Sequence, residues 1–190
     1  MAQATKRMDT GKMARIGMMC ALSTLLGFFP EIPMAFFAPW LKLDFAYVPV
    51  LLTGFALGFW PGFIVLAVKN VFQLITTNSA VTGQIADMLM GTAMLLPAVL
   101  VYNRNRTRKG ALIGMSLGTL GMVIVGLLTN RFLLLPFFMG EGFTAYMAKN
   151  PYILWIAVAP FNLIKGVADS AITFMLYKYL SPFLKRGLRA

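Results

Sequence analysis

Apolar stretches bounded by three tight basic clusters constrain this chain more than any other feature. Lys6, Arg7, Lys12 and Arg15 precede the first stretch, Arg104, Arg106, Arg108 and Lys109 interrupt the chain past its middle, and Lys178, Lys185, Arg186 and Arg189 close it. Cations that flank apolar runs mark the cytoplasmic ends of membrane helices. Of 190 residues 59% are hydrophobic and 12% charged, about half the charged share of a soluble domain. Mean hydropathy is +0.76. The chain therefore reads as an all-α integral membrane protein. At about 20 apolar residues per span, its length holds five to seven helices in one transmembrane domain, residues 1–190. The net charge of +11 is a topology signal, so nucleic acid is not an expected partner and membrane lipid is.

What is missing narrows the chemistry. The one cysteine, Cys20, lies in an apolar run, and there is no histidine. An intrachain disulfide, the usual zinc sites, Ser-His triads and histidine proton relays are thereby excluded, and neither catalysis nor a metal is expected. The polar, basic N-terminus is not followed by a small-residue cleavage site, so the first span is expected to stay in the mature protein.

Taken in order, residues 1–12 are a basic lead and the first span covers 13–29, with Gly17 and Ala21 giving it a small-residue face for close helix approach. Pro30 to Pro33 ends it. The segment to Asp44 carries Phe36, Phe37 and Trp40, which suits either a lid or an interfacial anchor packed over the bundle. A second span covers 45–60. Pro61-Gly62 is read as the turn into a third, to residue 76, and Gly54, Gly58 and Gly62 as a close contact across that hairpin. Lys69 is expected to snorkel or to pair with Asp87, for which N-terminal capping of the fourth span, 84–102, is the other reading. Pro97 is expected to kink that span. The fifth covers 111–139, with Gly110, Gly114 and Gly118 on one close-packing stripe. Residues 140–151 read as an external loop and 152–180 as the sixth span, with Pro182 after it.

The basic clusters test this count. If all three are cytoplasmic, the spans between them must be even in number, and the reading gives four and then two. Six transmembrane helices at 13–182, with a basic cytoplasmic lead at 1–12 and a basic cytoplasmic tail at 183–190, satisfy the condition.

Asn162, Lys165 and Asp169 stand out in the sixth span. Their spacing of three and then four puts them on one helix face. A Lys or Asp near the centre of a membrane helix costs roughly 3 kcal/mol, so the stripe must face protein or a polar cavity. By helical rise Asn130 reaches a similar depth from the fifth span, with Lys42 and Asp44 at the mouth. Polar groups converging on an apolar cavity build a small-molecule site. Interhelical hydrogen bonds that only hold the bundle together are the plainer reading, and Asp169 is an available counter-charge for Lys165.

These residues and several others carry a family resemblance. Leu41-Lys42-Leu43-Asp44-Phe45 with Val48-Pro49, Val68-Lys69-Asn70, Thr82-Gly83-Gln84 through Gly91, Arg106 to Gly110, Asn130 and Pro160-Phe161-Asn162-Leu163-Ile164-Lys165-Gly166 occur in that order through nearly the whole chain. The chain resembles the riboflavin-binding S components of energy-coupling-factor (ECF) vitamin transporters, most specifically in the last motif. The resemblance implies a multi-pass protein of a prokaryotic cell membrane that captures riboflavin from outside. It also implies work with a transmembrane coupling subunit and two ATPases. Polar contacts to the flavin would come from Asn130, Asn162 and Lys165, helped by Leu41, Lys42 and Asp44. Gly17 and Ala21 would dock the coupling subunit. Gln84 and Asp87 depart from the family's usual Glu and Asn, so neither carries over. No Gly-x-x-x-x-Gly-Lys-Ser/Thr motif occurs, so ATP hydrolysis has to come from a partner. FMN, or folate, thiamin or pantothenate, are the alternative cargoes; a membrane enzyme or a purely structural bundle are the alternatives of another class.

Overall fold

The polar side chains of this molecule lie inside and many large apolar ones outside. Lys69, Asp169, Asn130 and Asn162 are at most 1% exposed, while Leu25, Ile75, Leu120, Ile124, Trp155 and Ile156 are each more than half exposed. Water would not tolerate that arrangement over so much surface; a lipid solvent requires it. A computed structural model describes residues 10–29, 32–34, 38, 40–75 and 80–184. The basic lead before residue 10 lies outside the described residues. So do Pro30 and Glu31 of the expected turn, the aromatics Phe36 and Phe37, and the tail from 185 on.

Helix α1 (Thr10–Phe28) leads to a two-stranded antiparallel hairpin, β1 (Ile32–Pro33) and β2 (Lys42–Leu43), in which Ile32 pairs with Leu43 and Pro33 with Lys42. Helices α2 (Tyr47–Leu57) and α3 (Phe59–Gln73) follow, then α4 (Ala80–Arg104), with Pro97 inside it, and α5 (Arg108–Thr129). A π-helical turn (Asn130–Leu134) continues α5 into α6 (Leu135–Met139). A 3-10 turn (Gly140–Gly142) and α7 (Phe143–Lys149) come next, then a second π-helical turn (Leu154–Val158) and α8 (Ala159–Leu184). Residues 81–104 and 108–149 form two helical stretches long and apolar enough to cross a bilayer.

Three expectations need correction here. The break between α2 and α3 is at Gly58, not Pro61-Gly62. Gly58 takes φ +100°, which favours glycine, and Pro61 sits in the first turn of α3, where no intrahelical N–H bond is lost. Residues 140–151 are largely helical: Gly140, at φ +52°, turns the chain, and the alanine-, methionine- and lysine-containing run after it forms α7. Helix α8 continues through Pro182 to Leu184, since so near a helix end a proline forfeits one backbone bond and little else.

Backbones approach closely where glycine permits. A Cβ on Gly114 would lie 2.7 Å from the Ala98 carbonyl oxygen, and one on Gly118 would collide with the carbonyl of Met94, so the stripe on α5 lies directly against α4. Gly62 lies against the α2 backbone, where a Cβ would be 3.0 Å from the Val50 carbonyl oxygen. In lipid, packing of this kind replaces the hydrophobic drive between helices. Gly17 differs: it is exposed, and a Cβ there would meet nothing within 4 Å among the described residues, so the small-residue face of α1 is unpacked within the chain. Gly118→Leu is expected to destabilise the purified protein by about 1–3 kcal/mol through overpacking. Gly17→Leu should leave the thermal midpoint unchanged or raise it slightly, because it adds helix propensity without a clash, and paired melts in detergent read the difference.

Candidate functional site

Helix α2 has 11 residues and so rises about 16 Å, roughly half the hydrocarbon thickness of a bilayer. The chain before it covers the rest. Backbone bonds from Met34 N–H to the Leu41 carbonyl (2.9 Å) and from Leu41 N–H to the Ala38 carbonyl (3.1 Å) fold the hairpin on itself. Ala38, Leu41 and Leu43 are buried against Phe161 near the start of α8. Asp44 is thereby held at depth, directly before α2, where its Oδ1 accepts the Ala46 N–H at 3.0 Å. Its Oδ2 accepts from Lys165 Nζ at 2.6 Å, with both residues buried. That ion pair joins residues 121 apart in sequence.

Two asparagines flank the pair. Asn130 opens the first π-helical turn, and its Nδ2 donates to the Gly126 carbonyl at 2.8 Å. Its Oδ1 accepts from Trp40 Nε1 at 3.0 Å, and the Trp40 ring stacks near Phe138 of α6 at 6.3 Å. Asn162 donates to the Val158 carbonyl at 2.9 Å, one turn back in the second π-helical turn. A Cβ on Gly126 would lie 2.8 Å from Asn162 Nδ2, so α8 seats this amide against the α5 backbone. The two π-helical turns touch each other. Such turns re-aim side chains and recur at functional sites.

A second charged group lies next to the first. Lys69 Nζ donates to Asp87 Oδ2 at 2.7 Å, Asn70 Nδ2 donates to the same oxygen at 2.9 Å, and the Tyr47 hydroxyl donates to Asp87 Oδ1 at 2.9 Å. The Tyr47 ring joins the two groups, with Lys165 Nζ 4.8 Å and Lys69 Nζ 5.2 Å from its centroid. Cations over a desolvated ring are attracted by its quadrupole.

Asp44 and Lys165 are thus in direct contact, Asn130 and Asn162 both lie against Gly126, and Leu41 packs beside Phe161. Lys42 is exposed on β2, at the mouth. The Lys69–Asp87 pairing is borne out, and the capping reading of Asp87 is not: α4 begins at Ala80, which leaves Asp87 beyond the first turn. Lys165 takes Asp44 rather than Asp169. Helical side chains lean toward the N-terminus, so the Lys165 stem extends away from Asp169 and toward the hairpin. Both Asp169 carboxylate oxygens and the Thr173 hydroxyl one turn on are buried without a hydrogen-bond partner among the described residues. Sequence reasoning missed Gly126, which falls on the glycine stripe of α5 two steps beyond Gly118, with Met122 between them, and it missed the role of the Trp40 indole.

A helical bundle with its outer face apolar, and a buried polar cluster closed by a folded-back hairpin, is the layout of a membrane-embedded solute-binding protein. Residues 11–177 match the family described as ECF transporter, substrate-specific component, and the chain belongs to that family. It is a transporter component, not an enzyme. The riboflavin transporter RibU of Staphylococcus aureus (strain TCH60) is 35% identical over 97% of this chain and 95% of that protein. The riboflavin transporter FmnP of Bacillus subtilis (strain 168) is 30% identical over 94% and 96%. A solved structure, described as the S component of a bacterial ECF transporter, superposes with TM-score 0.77 at 34% identity, over 92% of this chain and 98% of that one.

The buried pair invites a double-mutant cycle. Lys165→Met alone strands the Asp44 carboxylate and should cost about 3–5 kcal/mol of stability. Asp44→Asn with Lys165→Met should recover most of that loss, measured by reversible unfolding in mixed micelles.

Proposed function

We propose that this chain is the riboflavin-capturing subunit of an ECF importer. The observation that carries the reading is the convergence of Asn130, Asn162 and Lys165 with Asp44 and Trp40 beneath one hairpin. Asparagine amides both donate and accept, which suits the imide edge of an isoalloxazine ring. The Lys165 ammonium suits a ring carbonyl or a ribityl oxygen, Trp40 and Phe161 offer faces for the ring, and Leu41 offers apolar wall. Both named relatives are riboflavin transporters, which supports the same cargo here. Lys42 is exposed on the hairpin, and a cation there suits a phosphate, so FMN is the related ligand to compare.

The transport reading follows. Six membrane helices form a single domain, and the basic lead, the basic α4–α5 junction and the basic tail lie on the cytoplasmic side. The hairpin and α7 then face outward, and flavin enters beneath the hairpin as it opens. A transmembrane coupling subunit docks on Gly17 and Ala21 of α1, and two ATPase subunits supply the energy. Both docking residues are exposed, with Met18, Leu22 and Leu25 beside them.

Trp40 is a built-in reporter, because its indole bonds Asn130 within the polar cluster, whereas Trp60 and Trp155 are 70% and 68% exposed. Riboflavin is expected to quench tryptophan fluorescence on titration. Trp40→Phe should remove most of the signal while bound flavin is still detected by absorbance, and Asn130→Ala or Lys165→Ala should weaken binding at least tenfold. No quench by riboflavin, with a response to folate, thiamin or pantothenate instead, would reassign the cargo.

Docking is tested separately. Gly17→Leu should leave riboflavin affinity intact and abolish uptake in cells that express the coupling module. Unimpaired uptake by that variant would move the docking face elsewhere.

A further inference from the structure

At the end of the bundle opposite the polar cluster, a cavity of about 640 Å³ opens between α2, α4, α5 and α8. Its floor is aromatic. Phe55 packs against Tyr102 (ring centroids 4.9 Å apart) and Tyr177 (5.7 Å), whose hydroxyls lie 2.7 Å from each other. Its rim is cationic, formed by the exposed side chains of Arg106, Arg108 and Lys178. No Asp or Glu occurs between Asp87 and Glu141 or after Asp169, so these cations have no acidic neighbours along their own segments. The chain's own tail cannot complement the rim, because Lys185, Arg186 and Arg189 give it the same sign.

We propose that this cavity binds an anionic phospholipid, its phosphate held by Arg106, Arg108 and Lys178 and an acyl chain laid over Phe55 and Phe174. Arginine forks match phosphate oxygens in pairs, and basic pockets between membrane helices on the cytoplasmic side select anionic headgroups. The apolar, aromatic floor has no use for a free anion, which would be left without contacts on one side. A lipid supplies both halves. The orientation proposed above puts the cavity in the inner leaflet. The binding chemistry needs only that the chain sits in a membrane, and the flavin site plays no part in it.

Native mass spectrometry of the full chain in detergent tests the proposal, with dioleoyl phosphatidylglycerol, dioleoyl phosphatidylcholine and inorganic phosphate as probes. Phosphatidylglycerol is expected to be retained and to raise the thermal midpoint, and phosphatidylcholine is not. Arg106→Gln/Arg108→Gln/Lys178→Gln should lose at least tenfold in phosphatidylglycerol affinity. Arg104→Gln/Lys109→Gln, at the adjoining ends of α4 and α5 but off the cavity wall, should lose less than twofold. Met175→Trp keeps every charge, fills the exposed side of the cavity and should also weaken retention. Thermal midpoints without lipid show that each variant is folded, whether or not riboflavin proves to be the cargo. Equal retention of the two lipids, or equal losses in the rim and control variants, overturns the site. Protection by inorganic phosphate alone overturns the lipid assignment.

Discussion

The Lys165–Asp44 pair is the interaction on which the architecture around the site depends. An ammonium and a carboxylate taken out of water each carry a desolvation penalty of several kcal/mol, and only close geometry with further hydrogen bonds offsets it. Here the contact is 2.6 Å, and the second carboxylate oxygen is bonded to the Ala46 N–H. Neither partner can leave without stranding the other in a medium of low dielectric. The pair therefore fixes the start of α2 against α8, and with it the place where the hairpin must fold down.

That constraint explains why α2 is short. A full-length span would carry Asp44 up to the headgroups, where it would need no partner. An 11-residue helix instead leaves room above it, which the hairpin fills with Leu41 and Leu43, and which Trp40 ties across to Asn130. The site is closed by a hairpin whose described contacts with the helices include those of Leu41, Leu43 and Trp40. Its attachments are side-chain contacts, of the kind a ligand competes for directly.

Much of this was legible in the sequence. The basic clusters and apolar runs sufficed for a helical membrane bundle, and a spacing of three and four identified the polar face of α8. Asn130 could be placed at the same depth by rise alone, because long helices keep a constant pitch. The failures share a cause. Lys165 and Asp169 look like partners by spacing, but spacing does not say which way a long side chain leans or what a distant segment brings to it. Gly58 was one glycine of a rhythm, and only its φ of +100° distinguishes it as the break. The π-helical turns at Asn130 and Leu154 leave no periodic trace in the sequence, since a single widened turn is too short to shift the pattern of a long, mostly apolar helix.

The buried charges divide into two groups that differ in what holds them. Lys69 and Asp87 sit on α3 and α4, in the interior of two packed helices, and Asp87 is further bonded to Asn70 and Tyr47. Separating them means separating the bundle. Lys165 also sits on a packed helix, but its partner lies at the junction of α2 with the hairpin, outside the helix-to-helix interfaces. The Tyr47 ring has both ammonium groups within 5.2 Å of its centroid and so links the two pairs. A polar core built only for stability would have no reason to anchor one of its two ion pairs at the mouth of the bundle. One pair tied to the hairpin, with a second held between packed helices behind it, is the arrangement expected of a polar cluster that meets a solute beneath the hairpin, in keeping with the riboflavin-binding role proposed above.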